Sequence, residues 1–278
     1  MYTLLTALSL ALLGQAEAVE NGDAEFAKAQ QKKWNDVYRT EAAAYEISLN
    51  GDRKKVLKMQ PEPVLLWSNP LRYGDTNGSV FVWTYEGRVE AVGTVFSHLA
   101  RQEPEKRYIA HSFLSLALEP LVAERNETSA WSIKVLGIQP EKIPGAPVPA
   151  DAAPLRLTQM RDLAREFSAT TTLEGVEQEL RLLSQPLYRY ESTLPEVVDG
   201  ALFTFVTGTD PELMLVIEAR RTAAGPVWHF GAGPFSDLPI TLRHKRAAIW
   251  KYDRDVPADD TKTTYISRRT ELRSRVIP

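Results

Sequence analysis

The 278-residue chain contains no cysteine, and histidine and methionine occur only four times each. The absence of cysteine excludes disulfides, thiolate metal sites and a cysteine nucleophile. The four histidines (His98, His111, His229 and His244) never fall three or four residues apart, so no helical metal-ligand spacing exists. An excess of one charge is lacking too. Against 33 Lys plus Arg stand 36 Asp plus Glu, a formal net of −3, which predicts no broad attraction to nucleic acid or to an anionic bilayer. Past the N-terminus no apolar run approaches the ~20 residues of a spanning helix. Catalytic signatures are missing as well: the sequence has no H-E-x-x-H, no G-x-S-x-G, no G-x-x-x-x-G-K-[ST], and no G-x-G-x-x-G at a strand-to-helix turn. The nearest phosphate-loop look-alike is Gly231-Ala232-Gly233-Pro234. Its proline removes a donor where an anion needs one, so it reads as a bend between strands. No catalytic residue, metal or cofactor is expected on these grounds.

What remains is an ordinary globular composition, 44% hydrophobic and 25% charged, long enough for one or two domains with a sizeable core. The first 18 residues read as a signal peptide. Leu4 to Leu13 form an apolar run too short to span a bilayer, and Ala16-Glu17-Ala18 places small residues at both specificity positions of a cleavage site. No Lys or Arg precedes the run, so the terminal amine alone supplies its positive charge. The expected location is therefore the periplasm or the cell exterior, with the mature chain starting at Val19.

Asp23 as N-cap and Phe26, Trp34, Val37 and Tyr38 at helical spacing predict an amphipathic helix to about Ala44. From Tyr45 the period changes to two. Strands are predicted at 45–49, 54–59, 64–67, 79–85, 89–96, 108–118 and 131–136, with a hairpin at Glu86-Gly87-Arg88 whose glycine takes a positive φ. Residues 139–154 carry five prolines and read as a linker. Leu155 to Phe167 then predict a second helix, followed by strands at 179–183, 187–190, 201–206, 213–219, 227–230, 240–243 and 248–252. The last stretch, 257–278, crowds Arg268, Arg269, Arg273 and Arg275 together and reads as a solvated basic tail. The predicted class is α+β: a helix plus an antiparallel meander over 19–138, repeated over 155–256.

The two halves resemble each other in register. Glu62 to Ser68 aligns with Gln185 to Glu191, Gly78 to Trp83 with Gly200 to Phe205, and Gly78–Glu90 spans the same interval as Gly200–Glu212. Tyr108-Ile109-Ala110-His111 has a loose counterpart in Val227-Trp228-His229-Phe230, and Trp131 in Trp250. These matches predict an internal duplication. A helix laid on one face of each sheet would bury it, and two such units joined together would leave a concave sheet surface as the generic binding site.

Aromatic residues are the most suggestive candidates for that surface. Trp83 and Tyr85 share a strand face, as do Tyr188 and Tyr190, and such stripes either stack on sugar rings or peptides or form the core beneath a helix. His98 and His111 sit on adjacent strands and would make a metal site only if they share a face. Carboxylate pairs for acid–base work (Glu86 with Glu90, Glu212 with Glu218) carry no mark of desolvation in the sequence.

Leu66-Trp67-Ser68-Asn69-Pro70, Gly87-Arg88-Val89-Glu90-Ala91-Val92-Gly93, Arg156 to Ala169, Glu179 to Tyr190 and Asp199-Gly200-Ala201-Leu202-Phe203 together resemble a large family of exported bacterial proteins with no assigned activity. The resemblance spans most of the mature chain and implies export, but carries over no site residues. In outline, the tandem units also look like the β-lactamase-inhibitory-protein arrangement, which implies nothing about function. Two functions stay open. One is a non-catalytic exported protein that binds an envelope protein or polysaccharide through Trp83, Tyr85, Tyr188 and Tyr190. The other is a carboxylate-dependent hydrolase acting on glycans.

Overall fold

The computed structural model describes residues 25–70, 72, 75–253 and 262–277; the predicted signal peptide and the Asp23 cap lie outside them. The first half opens with helix α1 (25–43), which puts Trp34, Tyr38 and Ala42 on one buried face at four-residue spacing. Eight strands follow: β1 (Tyr45–Leu49), β2 (Lys58–Met59), β3 (Leu65–Asn69), β4 (Thr76–Tyr85), β5 (Arg88–Ala100), β6 (Glu103–Ser115), β7 (Leu121–Arg125) and β8 (Thr128–Ile133). A two-residue strand, β9 (Glu141–Lys142), leads to helix α2 (Ala153–Arg165), which starts with proline in its first turn and buries Met160, Leu163 and Ala164. The second half continues with β10 (Phe167–Leu173), β11 (Val176–Leu182), β12 (Tyr188–Tyr190), β13 (Val197–Thr207), β14 (Asp210–Thr222), β15 (Gly225–Pro234), β16 (Ile240–His244) and β17 (Ala247–Tyr252). The final strand is β18 (Tyr265–Ser274).

All strand pairings among the described residues are antiparallel. In the first half β1-β7-β8 form one sheet and β18-β6-β5-β4-β2 another, with β3 also on β4. In the second half β17-β16-β10-β11-β13-β14-β15-β9 run as one continuous sheet, with β12 also on β13. The difference lies in one strand. β11 joins β10 to β13, whereas the matching stretch of the first half contributes only the Ser48–Val56 bridge and short β2, so its sheet stays split.

Several strand-pair positions coincide between the halves. Trp67 lies opposite Gly78 as Tyr190 lies opposite Gly200, and Phe81 opposite Gly93 as Phe203 opposite Leu215. The β4–β5 pair carries an irregularity between Trp83 and Thr84; β13–β14 carries one at the matching place, between Phe205 and Val206. Asn126 and Glu127 turn β7 into β8 with positive φ, and Lys245 and Arg246 do the same between β16 and β17.

Two elements cross over. β9, which follows the first half, pairs with β15 of the second; β18, which follows the second half, pairs with β6 of the first. Hairpin tips are exchanged as well. Thr193 donates its amide to Glu86 O at 3.0 Å, and Thr209 Oγ1 donates to Ser68 O at 2.7 Å. Gly87, with φ +82° as predicted, is required here for space: a Cβ would lie 2.3 Å from Glu191 O.

Packing follows from strand alternation. One face of β4–β6 presents Phe81, Trp83, Val95, Ile109 and Phe113 to α1 and the three-stranded sheet. One face of β13–β15 presents Phe203, Phe205, Leu215, Ile217 and Trp228 to α2. The opposite faces meet each other, so that Val80, Val82, Val92 and Leu114 pack on Leu202, Met214 and Val216. Each such side chain contributes about 1.5–3 kcal/mol on full burial.

That central core overturns the expected concave surface, because the two sheet faces fill one another. Three other expectations change. The basic tail is strand β18, held to β6 over nine residue pairs. The proline-rich linker includes β9 and buries Ile143. Gly231 to Pro234 lie inside β15 rather than in a bend, and the bare Cα of Gly233 admits Leu114 from the facing sheet, whose side chain would lie 2.7 Å from a Cβ. No helix among the described residues is long and apolar enough to cross a membrane.

Candidate ligand cleft

The aromatic residues singled out by alternation do not form a surface. Trp83 is 1% exposed beneath α1, with its ring 5.4 Å from that of Phe113. Tyr190 is buried in the central core, while Tyr85 and Tyr188 are half-buried against two different cores. Alternation reports which side chains share a face; here those faces meet other layers of the protein instead of solvent. Five of the six tryptophans are buried, and Trp250 is half-buried. The histidine pair separates too. His111 faces the α1 side, where Tyr45 OH lies 2.7 Å from its Nδ1, and burial together with Arg125, Arg268 and Arg273 depresses its pKa to about 3. His98 projects from the opposite face of the sheet, so the two imidazoles share no metal.

The acidic side chains converge in combinations that sequence spacing did not suggest. Glu86 is exposed at its turn, and Glu212 and Glu218 stand at opposite ends of the seam between the sheets. At one end Arg88, fully buried, donates from Nε to Glu218 Oε1 at 2.6 Å and from Nη1 to Glu90 Oε2 at 2.7 Å and Leu116 O at 3.0 Å. Tyr190 OH donates to the same Glu218 oxygen at 2.7 Å, its ring lying over Gly200, where a Cβ would come within 2.5 Å. Arg220 holds the other Glu218 oxygen. With three donors Glu218 ionises more readily than an ordinary glutamate despite its burial. Glu90 has only Arg88, so burial prevails and lifts its pKa to about 7.

This asymmetry has a pH signature. Between the ordinary glutamate value and about 7, folded Glu90 keeps a proton that the unfolded chain has released, so its contribution to stability declines as pH rises through that window. His111 acts the other way, since its neutral folded form loses ground as pH falls below its ordinary value. Comparing the native chain with Glu90→Gln isolates the first effect. Urea denaturation at pH 5 and pH 7.5 should show the native chain losing about 2–3 kcal/mol more than the variant. Parallel curves would mean that Glu90 is ionised throughout.

At the other end of the seam the positions matching Arg88, Glu90, Tyr190 and Glu218 are Asp210, Glu212, Trp67 and Phe96, by the shared strand register. Among the described residues no buried arginine plugs this end. Arg72 instead approaches from the β3–β4 connection, its Nη1 2.9 Å from Asp210 Oδ2 and 3.0 Å from Glu212 Oε1. Burial and the Glu212 charge raise the Asp210 pKa. A cleft of about 470 Å³ opens beside them, within the size range of small-molecule sites. Its walls are the Trp67–Phe96 pair, ring centroids 5.7 Å apart, and the Phe235–Tyr265 pair, 6.3 Å apart. Trp67 Nε1 is satisfied by Thr94 Oγ1 at 3.0 Å, and Ser112 Oγ donates to Ser267 Oγ at 2.8 Å, leaving hydroxyl oxygens between the aromatic walls.

The chain matches no family model, no curated protein and no solved structure. The cleft therefore rests on its own chemistry: an aromatic cavity between two layers, with a polar floor and charged groups at its mouth. Among the lining residues, Trp67 was legible in the sequence as the end of the strand predicted at 64–67, whereas Phe96, Phe235 and Tyr265 come from three distant segments with no common spacing.

Proposed function

We propose that the protein is an exported, non-catalytic binding protein that holds a small, largely apolar molecule in the cleft lined by Trp67, Phe96, Phe235 and Tyr265. The observation that carries this reading is the contrast between the two ends of the seam. Arg88, Glu218 and Tyr190 fill one end with the protein's own side chains, while the matching residues at the other leave an aromatic cavity. Export is supported by the Leu4–Leu13 run and the Ala16-Glu17-Ala18 site, and by the resemblance to exported bacterial proteins. The matched register and matched irregularities of the two halves support descent from one duplicated helix-and-meander unit. An envelope protein or polysaccharide bound through Trp83, Tyr85, Tyr188 and Tyr190 is disfavoured by the burial of Trp83 and Tyr190.

The test is a neutral fluorescent probe of apolar cavities, Nile red, titrated against the native chain and Ser267→Trp, which adds an indole at a half-buried wall position. One-to-one binding that weakens about tenfold in the variant is expected, roughly the loss of a few well-packed contacts. Absence of binding, or equal binding by both proteins, would remove the cleft as the site. The alternative reading, glycan hydrolysis by a carboxylate pair, rests on Asp210 and Glu212 converging on one arginine nitrogen; it requires turnover of a glycan that Asp210→Asn abolishes.

A further inference from the structure

Resting on the cleft reading, we infer that the ligand is an amphipathic anion: an apolar body seated between the two aromatic pairs and a single carboxylate or phosphate held at the mouth by Arg269. The charges decide the sign. On the far wall Arg72 is shared by two carboxylates, Asp210 and Glu212, and so has no charge to spare for an anion; Asp237 also lines the cleft. On the near wall Arg269 is exposed, lines the cleft and forms no ion pair among the described residues. Its guanidinium carbon sits 5.3 Å from the Tyr108 ring centroid, and the His98 ring lies 5.6 Å from the same tyrosine at a 39° tilt, so cation, phenol and imidazole stand side by side at the rim. Arg101 and Arg107 add to the positive field there: burial and then the Leu99 carbonyl bond act on His98, and all three arginines oppose a positive charge on it. Arg107 is spent on Asp75 and Arg268, which also lines the cleft, is engaged by Tyr45, which leaves Arg269 as the lining cation able to close on a ligand. A guanidinium held over an aromatic ring keeps N–H donors of its fork available for an anionic head group.

The experiment displaces bound Nile red with dodecanoate, dodecyl phosphate, dodecanol and dodecyltrimethylammonium. Both anions are expected to compete at about tenfold lower concentration than the alcohol, the size of one charge-assisted hydrogen bond, and the cation to compete worst. In Arg269→Ala the preference for anion over alcohol should fall to within about threefold, and Arg269→Lys should restore part of it. If the alcohol or the cation competes as well as the anions, or if Arg269→Ala keeps the preference, the inference is wrong while the cleft reading stands. If Nile red itself fails to bind, the cleft reading fails first.

Discussion

Replacing Arg88 with methionine is expected to lower stability by about 3–5 kcal/mol at pH 7.5, the range seen when one partner of a buried ion pair is removed. The guanidinium sits at 0% exposure between Glu90 and Glu218, and methionine fills similar volume without a donor. Glu218 would keep Tyr190 and Arg220, whereas Glu90 would keep no cation. Most of the loss therefore belongs to Glu90, and it should shrink on acidification, since a protonated carboxyl is far cheaper to bury. Adding Glu90→Gln to Arg88→Met should recover a large part of the deficit at neutral pH. Denaturant melts of the single and double variants at two pH values make the check. A deficit below about 1 kcal/mol, the scale of an exposed pair, would show that the network is not sealed from water.

Removing every residue after Asp253 should do more damage, although it takes away a stretch rich in arginine. Tyr265 and Ile266 are buried and together contribute about 3–6 kcal/mol. Main-chain bonds to β6 are lost along the whole strand, and Trp131 Nε1 and Trp34 Nε1 lose their acceptors, Thr263 O and Arg275 O, each orphaned donor costing about 1–3 kcal/mol if it stays buried. The total rivals the 5–15 kcal/mol that a whole domain retains. Hydrogen exchange is the measurement of choice: β5 and β6 should lose protection in the shortened chain. Native-like protection of those strands without β18 would show that the crossover is an ornament on a self-sufficient sheet.

Much of this architecture could be read from residue order. Trp34 and Tyr38 mark the buried face of α1, Glu86-Gly87 marks a hairpin, and the Gly78 and Gly200 segments occupy matching places in β4 and β13. Four strands were missed: β9, a two-residue pairing inside the proline-rich stretch, and three others for separate reasons. β10 carries three threonines, which favour strands, but among its serine and alanine the hydrophobic alternation is faint. β7 is five residues with two charges. β18 is secured by main-chain pairing and by Arg273 reaching Glu41, so its charges pointed to solvent while its backbone was committed to a sheet. The candidate site was less legible still. Pattern assigns side chains to faces, but only the apposition of two sheets decides whether a face becomes core, as with Val82 and Met214, or a cavity, as with Trp67 and Phe96.

The exchange of β9 and β18 also bears on how the molecule is made. A chain emerging from the ribosome delivers α1 and β1 to β8 early, yet β18, which completes their main sheet, is made only after the whole second half. The edge of β6 stays open until then, and its partner is more than 150 residues away along the chain, as in the Ser112–Ser267 contact. Such non-local closure slows folding, because the entropy of the intervening loop must be surrendered before the pairing rewards it. The nascent first half therefore stays unfinished until the second half has been made, a state vulnerable to pairing with a neighbouring copy.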